Sequence, residues 1–286
     1  MTKTQPITQT FTDILTKRIS TDRLSLPAFP PMASKCLALM KEKEYDQRQL
    51  IALLQKDPVL TAQVVRLASS AAYGSGEPLR SIEQAVTRLG SRNIKTAIIE
   101  ACARQVYQST DSHIALAFAE LWRHALAVAM LARDVAAIIG RTDAEFAYLG
   151  GLLHDIGKPV TAIILLEAEK ALGNSRWVKS EEWIQVVNES HRPIGVLLAT
   201  KWKLPDEVRK TISDCSEYDT SERTSIANVV RFANSVAKRE KIYTGPYDAE
   251  DVDALIMIGR SLLGIDEEHL DKLAHNLGQR VSSEML

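Results

Sequence analysis

The chain has little that could cross-link it: three cysteines in 286 residues, Cys36, Cys102 and Cys215, far apart and with no CxxC pair. That excludes a disulfide framework and a zinc ribbon, and it fits a reducing, cytoplasmic setting. No stretch approaches the ~20 uninterrupted apolar residues of a membrane helix. Met1-Thr2-Lys3-Thr4-Gln5-Pro6 lacks the apolar run of a signal peptide, so no membrane association is expected. An excess of charge is also missing: 35 Lys and Arg against 36 Asp and Glu leave a net charge of −1. There is no global electrostatic footprint for nucleic acid or anionic lipid, and no nucleic-acid partner is expected. Alternating strand patterns, a Gly-rich phosphate loop after a strand, and a repeat of ~20–50 residues are absent too, which argues against α/β nucleotide folds and solenoids.

What is present is a succession of helix signals. Pro31 suits the first turn of a helix through Met32, Cys36, Leu37 and Met40. Asp46 and Asp57-Pro58 read as two further starts, and Gly74, Gly76 and Pro78 as a turn. Ser81-Ile82-Glu83-Gln84 reads as a capping box, stopped at Gly90 and followed by a helix from Arg92 to about Tyr107. From Ile114 to Ile139 there is neither Gly nor Pro, which predicts one long helix closed by Gly140 and carrying Trp122 and His124. Thr142-Asp143-Ala144-Glu145 reads as another capping box, and Pro159 as the start of a helix ending at Gly173-Asn174. A helix from Ser180 to Ser190 is expected to turn at His191-Arg192-Pro193-Ile194-Gly195 into the next, and Ser213–Thr224 to be a loop. Ile226–Arg239 follows, its run Lys238-Arg239-Glu240-Lys241 complementing the helix dipole. Two closing helices, Asp248–Leu263 and Asp266–Val281, complete the core or form a face for homo-oligomer association. The tryptophans, Trp122, Trp177, Trp183 and Trp202, are read as core.

The expected fold is all-α, a multi-helical bundle with an N-terminal helical subdomain. Its divisions are a lead-in over 1–23 with a short helix around Phe11–Ile19, a first helical subdomain over 24–110, a second over 111–240, and closing helices over 241–286.

The chemistry concentrates in Gly150-Gly151-Leu152-Leu153-His154-Asp155-Ile156-Gly157-Lys158. An adjacent His and Asp offer a nitrogen and a carboxylate to a divalent cation if further ligands arrive from other helices. The plainer reading is a capping Asp and a His bonded to backbone.

Several motifs in one order resemble the HDOD family, all-helical bacterial output domains related to the HD phosphohydrolases. They are Leu26-Pro27-Ala28-Phe29-Pro30, Asp57-Pro58-Val59-Leu60 with Arg66-Leu67-Ala68-Ser69-Ser70, and Ser81 to Gly90. Leu121-Trp122-Arg123-His124, Gly150 to Lys158, His191 with Gly195, and Trp202-Lys203-Leu204-Pro205 complete the series. The resemblance spans roughly residues 25 to 240 and implies an HD-like helical bundle. It also implies that His124, His154, Asp155 and His191 are the candidate ligands of a divalent metal (Mn, Fe, Mg, Ni or Zn), with Lys158 steadying a substrate phosphate in an active relative. Where the hydrolases carry a final Asp, this chain has Asn234, a poorer ligand for a hard cation. Where a longer-loop branch has two histidines, it has Ser213-Asp214. The Gly-Tyr-Pro signature of the related cyclic di-GMP phosphodiesterases is missing; Tyr243-Thr244-Gly245-Pro246-Tyr247 has similar letters in the wrong order.

The functional expectation is a bacterial signal-transduction protein acting through a signalling protein partner, with a degenerate HD site and no catalysis. The alternative is a metal-dependent phosphohydrolase acting on a nucleotide or other phosphoester, with His154, Asp155 and Lys158 as its catalytic groups. A third reading is a non-catalytic binder of a small phosphorylated or nucleotide ligand in the vestigial site. The competing account of His124, His154, Asp155 and His191 is a buried hydrogen-bonded network, and of Lys158 a solvated charge at a helix start.

Overall fold

A computed structural model describes residues 13–15, 17, 26–42, 44–70, 73, 79, 81–171, 181–243 and 245–285. Within them the chain is all-α and no strand occurs. The expected turn at Gly74, Gly76 and Pro78, the helix end at Gly173-Asn174, Trp177 and most of the lead-in lie outside the described residues. Of the lead-in, 13–15 and 17 are helical, and Leu15 is buried.

The chain divides into two compact units, one of residues 28–105 and one of residues 1–27 with 106–286. The first unit contains α1 (Pro31–Leu39), α2 (Gln47–Leu54), α3 (Pro58–Ser69) and most of α4 (Ile82–Val106). Asp46 and Asp57 cap as the sequence predicts: Asp46 accepts from the Arg48 amide, and Asp57 from the Val59 and Leu60 amides at 3.0 and 3.1 Å. Asp57→Ala should therefore cost about 1 kcal/mol, read as a lower urea midpoint at unchanged slope. Ser81 accepts from the Gln84 amide at 3.3 Å, and α4 breaks at Gly90, whose φ of 68° leaves the helical region. Inside this unit Glu100, 1% exposed, is held by Gln63 and Arg66.

The second unit is built on α5 (Ala115–Ile139), with α6 (Ala144–Leu153), α7 (Gly157–Ala171), α8 (Glu181–Lys201), α9 (Asp206–Asp214) and α10 (Ile226–Arg239). The chain ends in α11 (Ala249–Leu263), α12 (Glu267–Ala274) and α13 (Leu277–Met285). Helix α5 packs on α6, α10, α12 and α13, and α8 packs on α7 and α9. The apolar segments Ala115–Ile139 and Ala144–Ala171 have the length and composition of membrane spans, but 61% and 94% of their apolar windows are buried inside the protein. Trp122, Trp183 and Trp202 are core residues, and Trp202 donates to the Pro27 carbonyl at 3.0 Å.

Three expectations are corrected. The cap of α6 is Asp143, which accepts from Glu145 and Phe146, while Thr142 donates to the Thr224 carbonyl. The expected turn at His191–Gly195 is helical: α8 runs through Pro193. Proline removes one intrahelical hydrogen bond, but Val187, His191, Ile194 and Leu198 form one buried stripe whose packing outweighs it, and Pro193 itself is exposed. The last expected helix is two, broken at Asn276, whose φ is 55°.

Candidate metal centre

The His154-Asp155 pair sits in the tight turn between α6 and α7, and the glycines around it bring two other helices into contact. A Cβ on Gly151 would stand 2.7 Å from the Ala129 Cα and 2.8 Å from the Val128 carbonyl oxygen. Only glycine lets the backbone of α6 rest on that of α5 here, one turn beyond His124. A Cβ on Gly157 would stand 1.8 Å from the His191 carbonyl oxygen and 2.8 Å from the Gly195 nitrogen. The start of α7 therefore lies against α8 at His191. The motif is a device for close approach: one glycine delivers His124, the other His191.

All four predicted residues are brought together and buried: His124 and His154 are 0% exposed, Asp155 4% and His191 5%. One atom from each of His124, His154 and Asp155 lies within 4.8 Å of the others. The Asp155 Oδ2 is 3.3 Å from His154 Nε2 and 3.9 Å from His124 Nε2. His191 approaches the other oxygen, its Nε2 3.1 Å from Oδ1. Each ring is oriented by its opposite nitrogen. His124 Nδ1 is 2.7 Å from the Ile242 carbonyl, His154 Nδ1 is 2.7 Å from that of Gly151, and His191 Nδ1 is 2.6 Å from that of Asn188.

A carbonyl only accepts, so each Nδ1 carries the proton and donates. Each neutral ring then turns an Nε2 lone pair toward a carboxylate, which also only accepts. All three Nε2 atoms are buried without a hydrogen-bond partner. Four sets of lone pairs face one another, with the opposite ring nitrogens fixed by backbone carbonyls, and such a donor set could hold a metal ion.

Lys158, the second residue of α7, supplies one positive charge. Its Nζ lies 2.6 Å from Asp155 Oδ2 and it is only 6% exposed. It is a buried counter-ion and not the solvated charge the plainer reading expects. Burial pulls the Lys158 ammonium down, but Asp155 and Tyr243 outweigh it and the net shift is upward. Burial alone would raise Asp155; the adjoining His154 ring and the Lys158 ammonium hold it well below the usual carboxylate range. Burial, reinforced by His154, lowers His124 to about 3, and burial also lowers His191.

The sign of the pH dependence follows. His124 is neutral in the folded protein down to about 3 and titrates near 6.5 when exposed, so the unfolded chain binds more protons between those values. The metal-stripped protein should lose stability as pH falls from about 6.5 toward 3, with Asp155 adding to the loss below its usual pKa. Urea midpoints in chelator at descending pH measure this; a flat profile over that interval contradicts it.

Two participants were not legible in the motif. Helix α10 ends in a left-handed turn at Lys241 (φ 58°), with the Ile242 amide bonded back to Ala237 and the Lys241 amide to Lys238. That turn places the Ile242 carbonyl on His124 and the Tyr243 ring 5.0 Å from the His124 ring. Lys158 and Lys238 both stand over the Tyr243 ring, at 5.1 and 4.7 Å. Lys238 is thus more than a dipole complement. Asn234 lies one turn before Lys238, half-buried, its Oδ1 buried and unpartnered.

The HDOD domain model matches residues 26–218, about two thirds of the chain. The chain belongs to the HDOD family. Among solved structures, this HDOD protein is similar to a candidate metal-dependent phosphohydrolase from Shewanella amazonensis SB2B, at TM-score 0.80 and 20% identity over 96% of this chain and 98% of the other. An HDOD domain protein of unknown function from Geobacter sulfurreducens matches at 0.65 and 22%, over 96% and 97%. At these identities the likeness is one of fold. Among curated relatives it is 29% identical to an uncharacterized protein of Treponema pallidum (strain Nichols), over 64% of this chain and 36% of the other. It is 24% identical to a ribonuclease Y of Listeria welshimeri, over 91% and 47%. The chain spans between about a third and a half of the length of these curated relatives.

Proposed function

We propose that this HDOD protein is a signal-transduction module that holds one divalent metal ion and acts by binding a protein partner, without turning over a substrate. The observation that carries the metal is the trio of buried, unpartnered Nε2 atoms gathered about Asp155. His124, His154 and Asp155 would hold the ion, and His191, whose Nε2 lies beside the second carboxylate oxygen, would be the fourth donor. A donor set of imidazoles and one carboxylate suits Zn, Fe, Ni or Mn better than Mg. Bound there, the ion would supply the positive charge these lone pairs are turned to receive, and Lewis acidity toward any ligand that reached it.

The residues argue against a two-metal phosphoesterase. The cluster has one carboxylate, the late helix offers the neutral Asn234, and the Lys158 ammonium already stands on Asp155 Oδ2. A second reading, metal-dependent phosphoester hydrolysis, draws on the likeness to the Shewanella protein and on the buried Lys158.

Metal analysis of protein purified without chelator should find about one ion per chain, and nucleotides and other phosphoesters with added manganese should remain uncut. Retention of no metal after loading would overturn the metal reading. Turnover lost in Asp155→Asn would replace the adaptor reading by the enzymatic one. Pull-downs from the native host that repeatedly recover the protein alone would count against the partner.

A further inference from the structure

Beside the His–Asp cluster runs a row of cations that the metal reading does not use. Arg231, Asn234 and Lys238 share one face of α10 at spacings of three and four, so Arg231 and Lys238 stand about 10 Å apart along the axis. Arg231 and Arg192 meet at Cys215: Arg192 Nη1 is 2.9 Å from its Sγ and 3.3 Å from the Ile212 carbonyl, and Arg231 Nη1 is 3.3 Å from the Cys215 carbonyl. At the other end Lys238 and Lys158 meet over Tyr243.

Arg192, Arg231 and Lys238 are half-buried, and none forms an ion pair with a carboxylate among the described residues. Their contacts are carbonyls, a thiol and the rings of Tyr218 and Tyr243. Burial pushes the Cys215 thiol up despite Arg192, so the thiol is neutral and cancels no charge. Exposed Glu217 is within electrostatic reach of Arg231 but not paired with it. Surface cations elsewhere do find carboxylates, as Lys170 finds Asp111 and Arg280 finds Asp134. The row also has loose ends: Arg231 Nε and Asn234 Oδ1 are buried without partners. Burial, together with the nearby Lys158, depresses the Lys238 ammonium, and Asp155 offsets only part of that. Desolvated like charges in a line are costly to a fold that does not use them, and guanidinium forks with ammonium groups are the donors that phosphoryl oxygens take.

We propose that Arg192, Arg231 and Lys238, with Lys158 at the inner end, bind a small phosphorylated molecule bearing more than one negative charge. The Arg pair and the Lys pair hold its two ends, and the Asn234 amide lies between them. The site does not depend on a metal in the neighbouring cluster.

Calorimetric titration with inorganic phosphate, pyrophosphate and tripolyphosphate at constant ionic strength tests this, on metal-stripped and metal-loaded protein in parallel. Affinity should rise along that series in the stripped protein, and Arg231→Gln with Lys238→Gln should lower it at least tenfold. Because repulsion along the row is only partly offset in the free protein, these two variants should melt no lower than wild type without ligand; a structural role predicts that they melt lower. Undetectable binding, or binding that the α10 variants leave unchanged, overturns the proposal. Binding confined to metal-loaded protein and indifferent to those variants overturns it too, while leaving the metal site standing.

Discussion

Asp155→Asn is expected to cut divalent-metal affinity by at least about 100-fold and to destabilise the metal-stripped protein by about 3–5 kcal/mol. The substitution is nearly isosteric, so the effect is electrostatic. The carboxylate is the one anion in the cluster, and changes merely behind a ligand already cost about 10–100-fold in metal affinity. In the stripped protein Asp155 is also the partner of Lys158, with both groups at most 6% exposed. The amide would leave a buried ammonium facing a neutral group, and removing one member of a buried pair is costly because the other charge stays desolvated. Metal titration and urea unfolding in chelator read the two effects separately. His113, 69% exposed and paired with Asp111 at the surface, is the control: His113→Ala should change neither. Normal metal affinity in Asp155→Asn would remove Asp155 from the ligand set.

Gly157→Ala should destabilise the fold by more than about 4 kcal/mol, in the rare upper tail of single substitutions. The added Cβ would fall 1.8 Å from the His191 carbonyl oxygen, with the His191 carbon at 2.7 Å and the Gly195 nitrogen at 2.8 Å. These are backbone atoms inside α8, so no side-chain rotation relieves the clash and the helices must separate. Separation withdraws His191 from Asp155, so any folded fraction should also bind metal more weakly. Gly278, where a Cβ meets nothing within 4 Å, is the comparison: Gly278→Ala should be neutral or slightly stabilising in α13. Thermal melting of both variants decides it, and a Gly157→Ala protein within 1 kcal/mol of wild type would show that α7 and α8 are not in backbone contact.

The helices were legible where capping and apolar period act within one segment. Asp46, Asp57 and Gly140 mark real ends because each satisfies, or stops, its own helix. Pro193 misled because the packing that carries α8 past it comes from helices distant in sequence, and local propensity does not register them. The gathering of His124, His154, Asp155 and His191 was readable only through family resemblance: thirty positions separate His124 from His154 (154 − 124), and nothing local says they meet. What the glycines do became clear with the helices in place. Tyr243 and Lys238 were hidden for another reason. A left-handed turn at Lys241 folds Tyr243 back onto the site and under the Lys238 ammonium, and a lysine at φ 58° gives no signal in composition. Lys158 looked like a surface charge because lysine usually is one; its burial depends on the carboxylate three residues before it.

The central claim is that three imidazoles present unprotonated Nε2 atoms to one carboxylate. Nitrogen-15 NMR of histidine-labelled, metal-stripped protein at neutral pH tests it directly. His124, His154 and His191 should appear as the Nδ1-protonated tautomer, and the Nε2 resonances of His124 and His154 should shift on adding one equivalent of zinc, with no further change at two. Nε2-protonated rings, or resonances that zinc leaves in place, would contradict the account.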